Sequence, residues 1–136
     1  MHENGINYLE MYVPVVQWMR IRIMLTLSAI KNLYTKSIDF VLVYQQANLD
    51  VNIYMELQQG FNMGPESGRY ILKIQKNFYG LKQAGRNWFE KLSSALGNSS
   101  INPSKVDPCV FIGDDIIVLV YVDNCLIFPR DKDNIN

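Results

Sequence analysis

Three apolar runs close together near the end of the chain, Cys109 to Ile112, Ile116 to Val122 and Cys125 to Phe128, are parted only by Gly113-Asp114-Asp115 and by Asp123-Asn124. Runs of this length, bounded by turn residues, predict a β-meander with tight turns. The meander restricts the fold to one with an antiparallel sheet. It also places acidic side chains at sheet edges.

Upstream, Pro14 to Leu33 reads as a helix, with Pro14 suited to a first turn and Trp18, Ile21, Leu25 and Ala29 recurring at helical intervals. Ile23, Met24, Leu27 and Ile30 make its other faces apolar, which predicts burial on more than one side. Lys36 to Tyr44 has the near-continuous apolar character of a central strand, broken by Asp39. Ile53 to Leu57 and Tyr70 to Ile74 predict a peripheral hairpin around a Gly- and Pro-containing loop from Gly60 to Gly68. A second helix is expected from about Leu81 to Leu96, with Leu81, Trp88, Leu92 and Leu96 on one face, Gly85 weakening its first turn and Gly97-Asn98 as a stop. The order gives an α+β domain with a mainly antiparallel sheet flanked by two helices.

With 136 residues and 49% apolar content the chain can bury the core of a single folded unit. Its 13 basic and 13 acidic residues cancel, so any contact with nucleic acid must come from local patches. Cys109 and Cys125 lack metal-site spacing and share the chain with a single His2, which predicts buried, reduced thiols. The apolar stretch Ile21 to Ile30 is too short to span a bilayer, and the N-terminus has no signal-peptide pattern. A soluble intracellular protein without a membrane partner is the resulting expectation.

Asp39 stands in a strongly apolar run, where a carboxylate is costly to bury without a cation or donors. Asp123 lies at a hairpin tip, and if the two strands are neighbours the carboxylates converge. Converging carboxylates without Cys or His suit a hard divalent ion and phosphoryl chemistry. Each residue also has an ordinary explanation. Asp-Asn favours hairpin turns, and Asp39 could face solvent on a half-exposed strand. Gly113-Asp114-Asp115 is a rival, since it resembles the catalytic turn of viral RNA-dependent RNA polymerases.

Taken together, Tyr12-Val13-Pro14-Val15-Val16, Ser37-Ile38-Asp39-Phe40-Val41, Ile53-Tyr54-Met55-Glu56-Leu57, Phe78-Tyr79-Gly80-Leu81-Lys82-Gln83-Ala84-Gly85-Arg86-Asn87-Trp88, Asp107-Pro108-Cys109-Val110-Phe111 and Tyr121-Val122-Asp123-Asn124 resemble, in order and spacing, the copia-type retrotransposon reverse transcriptase domain. The resemblance runs from about Gly5 to Phe128, and Tyr79 to Ala84 is its most specific part. It implies a palm with partial fingers across residues 1–136, and an RNA-directed DNA polymerase acting on a primed RNA or DNA template with dNTPs.

By the same resemblance, Asp39 and Asp123 correspond to catalytic aspartates that hold two Mg2+ ions, or Mn2+ in their place, aided by the Phe40 carbonyl. Tyr44 corresponds to the aromatic that blocks a ribose 2′-hydroxyl, and Gln83 to a dNTP-contacting residue. Lys82 and Arg86 are candidates for template or triphosphate phosphates, with a solvated helix face as the alternative. Tyr121 is expected under the primer terminus, where a buried sheet aromatic would serve equally well.

The chain departs from the family at Asn124, a neutral isostere where the catalytic turn carries a second Asp. The amide keeps the shape and loses a charge, which predicts weaker metal binding and impaired polymerisation. Val43 and Gln45 to Asn48 depart too. The chain is read as starting after the basic fingers strand and ending before thumb, RNase H and integrase, which as polyprotein segments are the expected partners. The resemblance implies a cytoplasmic site of action, and an alternative identity is a non-catalytic remnant that binds nucleic acid weakly.

Overall fold

The computed structural model describes residues 13–58, 60 and 70–131. The loop expected from Gly60 to Gly68, apart from Gly60 itself, and the N-terminal residues through Tyr12 lie outside them. Helix α1 spans Trp18–Lys31, strand β1 Lys36–Asp39, the short helix α2 Val43–Gln46, β2 Tyr54–Glu56 and β3 Ile71–Lys73. Helix α3 spans Ala84–Asn98, followed by β4 Asn102–Pro103, β5 Val110–Ile112, β6 Ile116–Tyr121 and β7 Asn124–Pro129. The predicted meander is β5 to β7, and β2 and β3 form the predicted hairpin as a separate two-stranded sheet.

The main sheet is five-stranded and antiparallel, in the order β1-β7-β6-β5-β4. Strand periodicity explains why β6 is apolar throughout: both of its faces are covered. Val118 and Val120 pack with Cys125 and Phe111 against Val43 and Ala47 at α2 and Trp88 and Leu92 of α3. Leu119 points the other way and joins Cys109, Phe128, Val16 and Ile21. The hairpin is tied on by a smaller cluster of Ile53, Leu81 and Ala84.

Three expectations are corrected. Strand β1 is an edge strand and ends at Asp39, rather than running centrally to Tyr44. Leu42 takes a left-handed conformation at φ 55°, which turns the chain and starts α2, so Tyr44 is helical. Helix α1 starts later than Pro14, after the extended Gln17, and buries only Ile21 and Ser28. Trp18, Met19, Ile23 and Ile30 are exposed because the sheet offers α1 a single face. The second helix runs through Gly97 and Asn98 and is capped at Ser99, one step beyond the expected stop.

Gly85 has a reason that its helix propensity hides. A Cβ there would lie 2.9 Å from Val13 Cγ2, so its absence lets the segment before α1 approach α3 closely. Both cysteines are buried and unpaired, as their spacing predicted. Burial pushes the Cys125 thiol up to about 12, and burial with the nearby Asp107 carboxylate does the same for Cys109. Asp107 is itself buried; it accepts the Cys109 N–H at 2.8 Å and pairs with Arg20 of α1. No helix among the described residues is long and apolar enough to cross a membrane.

Candidate active site

The pairing of β1 with β7 brings the backbones of Asp39 and Asp123, the two carboxylates expected from the sequence, next to each other. Register places Asp39 opposite Asn124, and the Phe40 N–H donates to the Asp123 carbonyl at 2.9 Å. The continuation of β1 is therefore fastened to the turn itself. Asp39 is exposed and so escapes the desolvation cost that its apolar neighbours suggested. Its strand is largely exposed, Ile38 alone being partly covered.

The turn differs from the expected Asp123-Asn124 pair. Tyr121 faces Asn124 in the ladder, so Val122 and Asp123 are the linking residues and Asn124 opens β7. Val122 lies at φ 56°, where a β-branched residue is strained. Two fastenings hold it there. The Phe40 N–H grips the Asp123 carbonyl, and the Trp88 indole N–H donates to the Val122 carbonyl at 2.9 Å. The Trp88 ring in turn meets Phe40 edge-on at 5.2 Å, so the helix, the first strand and the turn form one packed unit.

Asp123 receives a neutral donor on each carboxylate oxygen. The Asn124 amide donates to Oδ1 at 3.1 Å, and the Tyr79 hydroxyl approaches Oδ2 at 3.4 Å. The reverse Asn124 rotamer would set oxygen against oxygen, so this hydrogen bond fixes which end of the amide faces Asp123. Tyr79 meets Tyr44 edge-on at 4.5 Å. Desolvation, then the charge of Asp123 and its hydrogen bond, then the charge of Asp39, raise the Tyr79 phenol above its ordinary pKa of 10.0. Tyr44 is raised as well, by desolvation first and then by Tyr79 and Asp123.

The remaining predicted residues divide by position. Phe40 turns its ring inward and leaves its backbone at the carboxylate edge. Lys82 is exposed, whereas Gln83 is fully buried as the residue preceding α3 and presents no surface to a ligand in this arrangement. Arg86 is not on a solvated helix face; it pairs with Asp50 and, at 3.1 Å, with Glu90. Tyr121 is partly exposed and tilts against Trp18 at 6.0 Å on the α1 side of the sheet. An apolar cavity of about 180 Å³ lies behind the turn, bordered by Tyr44, Trp88, Val122 and Val13.

Sequence reasoning left Tyr79, Trp88 and Asn77 without roles at the site. Tyr79 and Trp88 lie within the quoted Phe78 to Trp88 segment, which was the available signal. Asn77 is buried and donates to the Ala47 and Asn48 carbonyls at 3.2 and 2.8 Å, and Asn87 donates to the Asn48 carbonyl at 3.3 Å. Together they tie the end of α2, and with it Tyr44, to α3. Among the described residues no cluster of three or more His, Cys, Asp or Glu could hold a metal ion, so Asp39 and Asp123 are a carboxylate pair without a third acidic partner.

The fold is an α+β domain in which the end of β1 adjoins the β6–β7 turn. The family profile described as "Reverse transcriptase (RNA-dependent DNA polymerase)" matches residues 1–136. The chain belongs to this reverse transcriptase family, and within it to the copia type. It is 34% identical over 135 residues to the retrovirus-related Pol polyprotein from transposon TNT 1-94 of Nicotiana tabacum, covering 96% of this chain and 10% of the relative. It is 32% identical over 131 residues to the corresponding polyprotein from transposon RE1 of Arabidopsis thaliana, covering 93% and 9%. The truncated transposon Ty1-A Gag-Pol polyprotein of Saccharomyces cerevisiae is 26% identical over 108 residues, covering 79% and 9%. The chain thus spans about a tenth of the length of these relatives. No solved structure matches it.

Proposed function

We propose that residues 1–136 are the palm, with part of the fingers, of a copia-type reverse transcriptase, and that this copy is catalytically impaired. The observation that carries the reading is the register of β1 on β7, which pairs Asp39 with Asn124 and sets it beside the Val122-Asp123 turn. Two carboxylates and the Phe40 carbonyl would offer an all-oxygen donor set suited to hard divalent ions, Mg2+ or Mn2+. Asn124 has its N–H toward Asp123, so its amide oxygen is a weak further ligand at best. When bound, two such ions would activate a primer 3′-hydroxyl and clamp the dNTP triphosphate.

The chain's own residues would supply position and selection. Tyr44, packed edge-on against Tyr79, whose hydroxyl approaches Asp123, would present the ring that excludes a 2′-hydroxyl. Lys82 offers an exposed cation for template or triphosphate phosphates. Gln83 and Arg86 act on substrate indirectly, by shaping the start of α3. Tyr121 and Trp18 give the primer side an aromatic floor. Primed RNA or DNA template, dNTPs and further Pol segments such as thumb, RNase H and integrase are the corresponding partners.

Primer extension on poly(rA) with an oligo(dT) primer tests this reading. Asn124→Asp should raise incorporation well above the parent, and Asp39→Asn or Asp123→Asn in that background should remove it. Failure of Asn124→Asp to gain activity would defeat the account in which one lost carboxylate limits the chain. The second reading, a remnant that binds nucleic acid without catalysis, would then stand, since Asn124 is the residue on which the two diverge.

A further inference from the structure

We propose that Tyr79 is a positioning residue that competes with divalent metal for the Asp123 carboxylate, its phenol holding Oδ2 until a cation displaces it. The inference rests on the metal-binding reading of Asp39 and Asp123 and adds a residue that controls access to them. Tyr79 is 63% exposed, yet its hydroxyl points at the one carboxylate of the turn.

The geometry favours a displaceable contact over a permanent one. At 3.4 Å the hydrogen bond is longer than the ordinary O–H···O range of about 2.5–3.0 Å, so it stabilises the carboxylate weakly. The ring has an independent anchor in Tyr44, at 4.5 Å, so the hydroxyl can leave Asp123 without the side chain losing its packing. Gly80, at φ 99°, follows Tyr79 directly and gives the backbone a turn that side-chain-bearing residues rarely adopt. With Asn124 on Oδ1, both oxygens of Asp123 are occupied by neutral donors, and an incoming ion must replace or share with each.

The competition predicts opposite signs for removing the phenol and removing the carboxylate. Mn2+ affinity of the full chain, measured by electron paramagnetic resonance of the free ion and by calorimetry, separates them without any turnover. Tyr79→Phe keeps the ring and should tighten Mn2+ binding about twofold to threefold, in the parent and in Asn124→Asp alike. Tyr54→Phe, an exposed phenol on the hairpin, should leave affinity unchanged. Unchanged or weakened binding in Tyr79→Phe overturns the proposal, weakened binding marking Tyr79 as a residue that orients the carboxylate for the metal instead. Mn2+ binding that survives Asp39→Asn with Asp123→Asn, or that is absent even in Asn124→Asp, overturns the metal site itself and this proposal with it. Binding that depends on the aspartates but ignores Tyr79 rejects the proposal alone.

Discussion

Strand β6 has an acidic turn at each end, and the two turns are built differently. At its start, Gly113 donates to the Ile116 carbonyl at 2.9 Å and carries Asp114-Asp115 into solvent. Asp115 meets Arg130 at 3.5 Å, both side chains well exposed, a pairing worth roughly 0–1 kcal/mol. At its end, Val122-Asp123 has one carboxylate where the other turn has two, yet it is bound by Trp88 and Phe40 and adjoins Asp39 and Tyr79. The first turn is relaxed; the second holds a β-branched residue at positive φ. The two turns differ in their fastening to neighbouring elements as well as in their number of carboxylates.

The largest expected effect is alkaline. Cys125 lies on β7 beneath the Asp123 end of the sheet, and the Cys109 carbonyl accepts the Val120 N–H at 2.9 Å close to the same end. Each thiol would ionise near 9.0 when unfolded and only at about 12 when folded. Their contribution to stability is therefore complete below pH 9 and is lost as pH rises toward about 12, at about 1.4 kcal/mol per pH unit for each thiol. Urea unfolding across this range should show the decline, and Cys125→Ala should reduce its slope. An identical slope would show that the thiol is not held neutral by the fold.

Trp88→Ala should cost about 3–5 kcal/mol in chemical denaturation, since it empties a buried aromatic site and frees the Val122 carbonyl. Arg130→Ala at the other turn should change stability by less than about 1 kcal/mol. Equal costs would erase the contrast between the turns. Asn124→Asp should tighten Mn2+ binding about tenfold, close to 1.4 kcal/mol, while lowering metal-free stability because three carboxylates then share one edge. Asp115→Asn should leave Mn2+ binding untouched. A small effect of opposite sign is expected at Val122→Gly: relief of strain exceeds the added chain entropy and stability rises by up to about 1 kcal/mol. A loss there would mean that the valine's contacts around the cavity outweigh its strain.

Much of this architecture was legible before the fold. The meander, the hairpin, the second helix and the buried thiols follow from local periodicity and turn chemistry, which need no distant partner. Helix α1 was harder: its apolar residues point all round, and periodicity cannot say how many neighbours will come to cover them. Strand β1 was cut short for a different reason. A run of apolar residues suits strand or helix alike, and only the left-handed Leu42 separates one from the other.

The site divides along the same line. The sequence by itself determined the family, and it singled out Asp39, Asp123 and Asn124 as candidates, because these are matters of residue identity and order. Tertiary structure alone decided that Gln83 is buried, that Arg86 is committed to Asp50 and Glu90, and that Tyr79 stands over Asp123. Such outcomes depend on which surfaces meet across distant parts of the chain. A carboxylate's chemistry is written in its side chain, but its partners are set by the packing that brings them within reach.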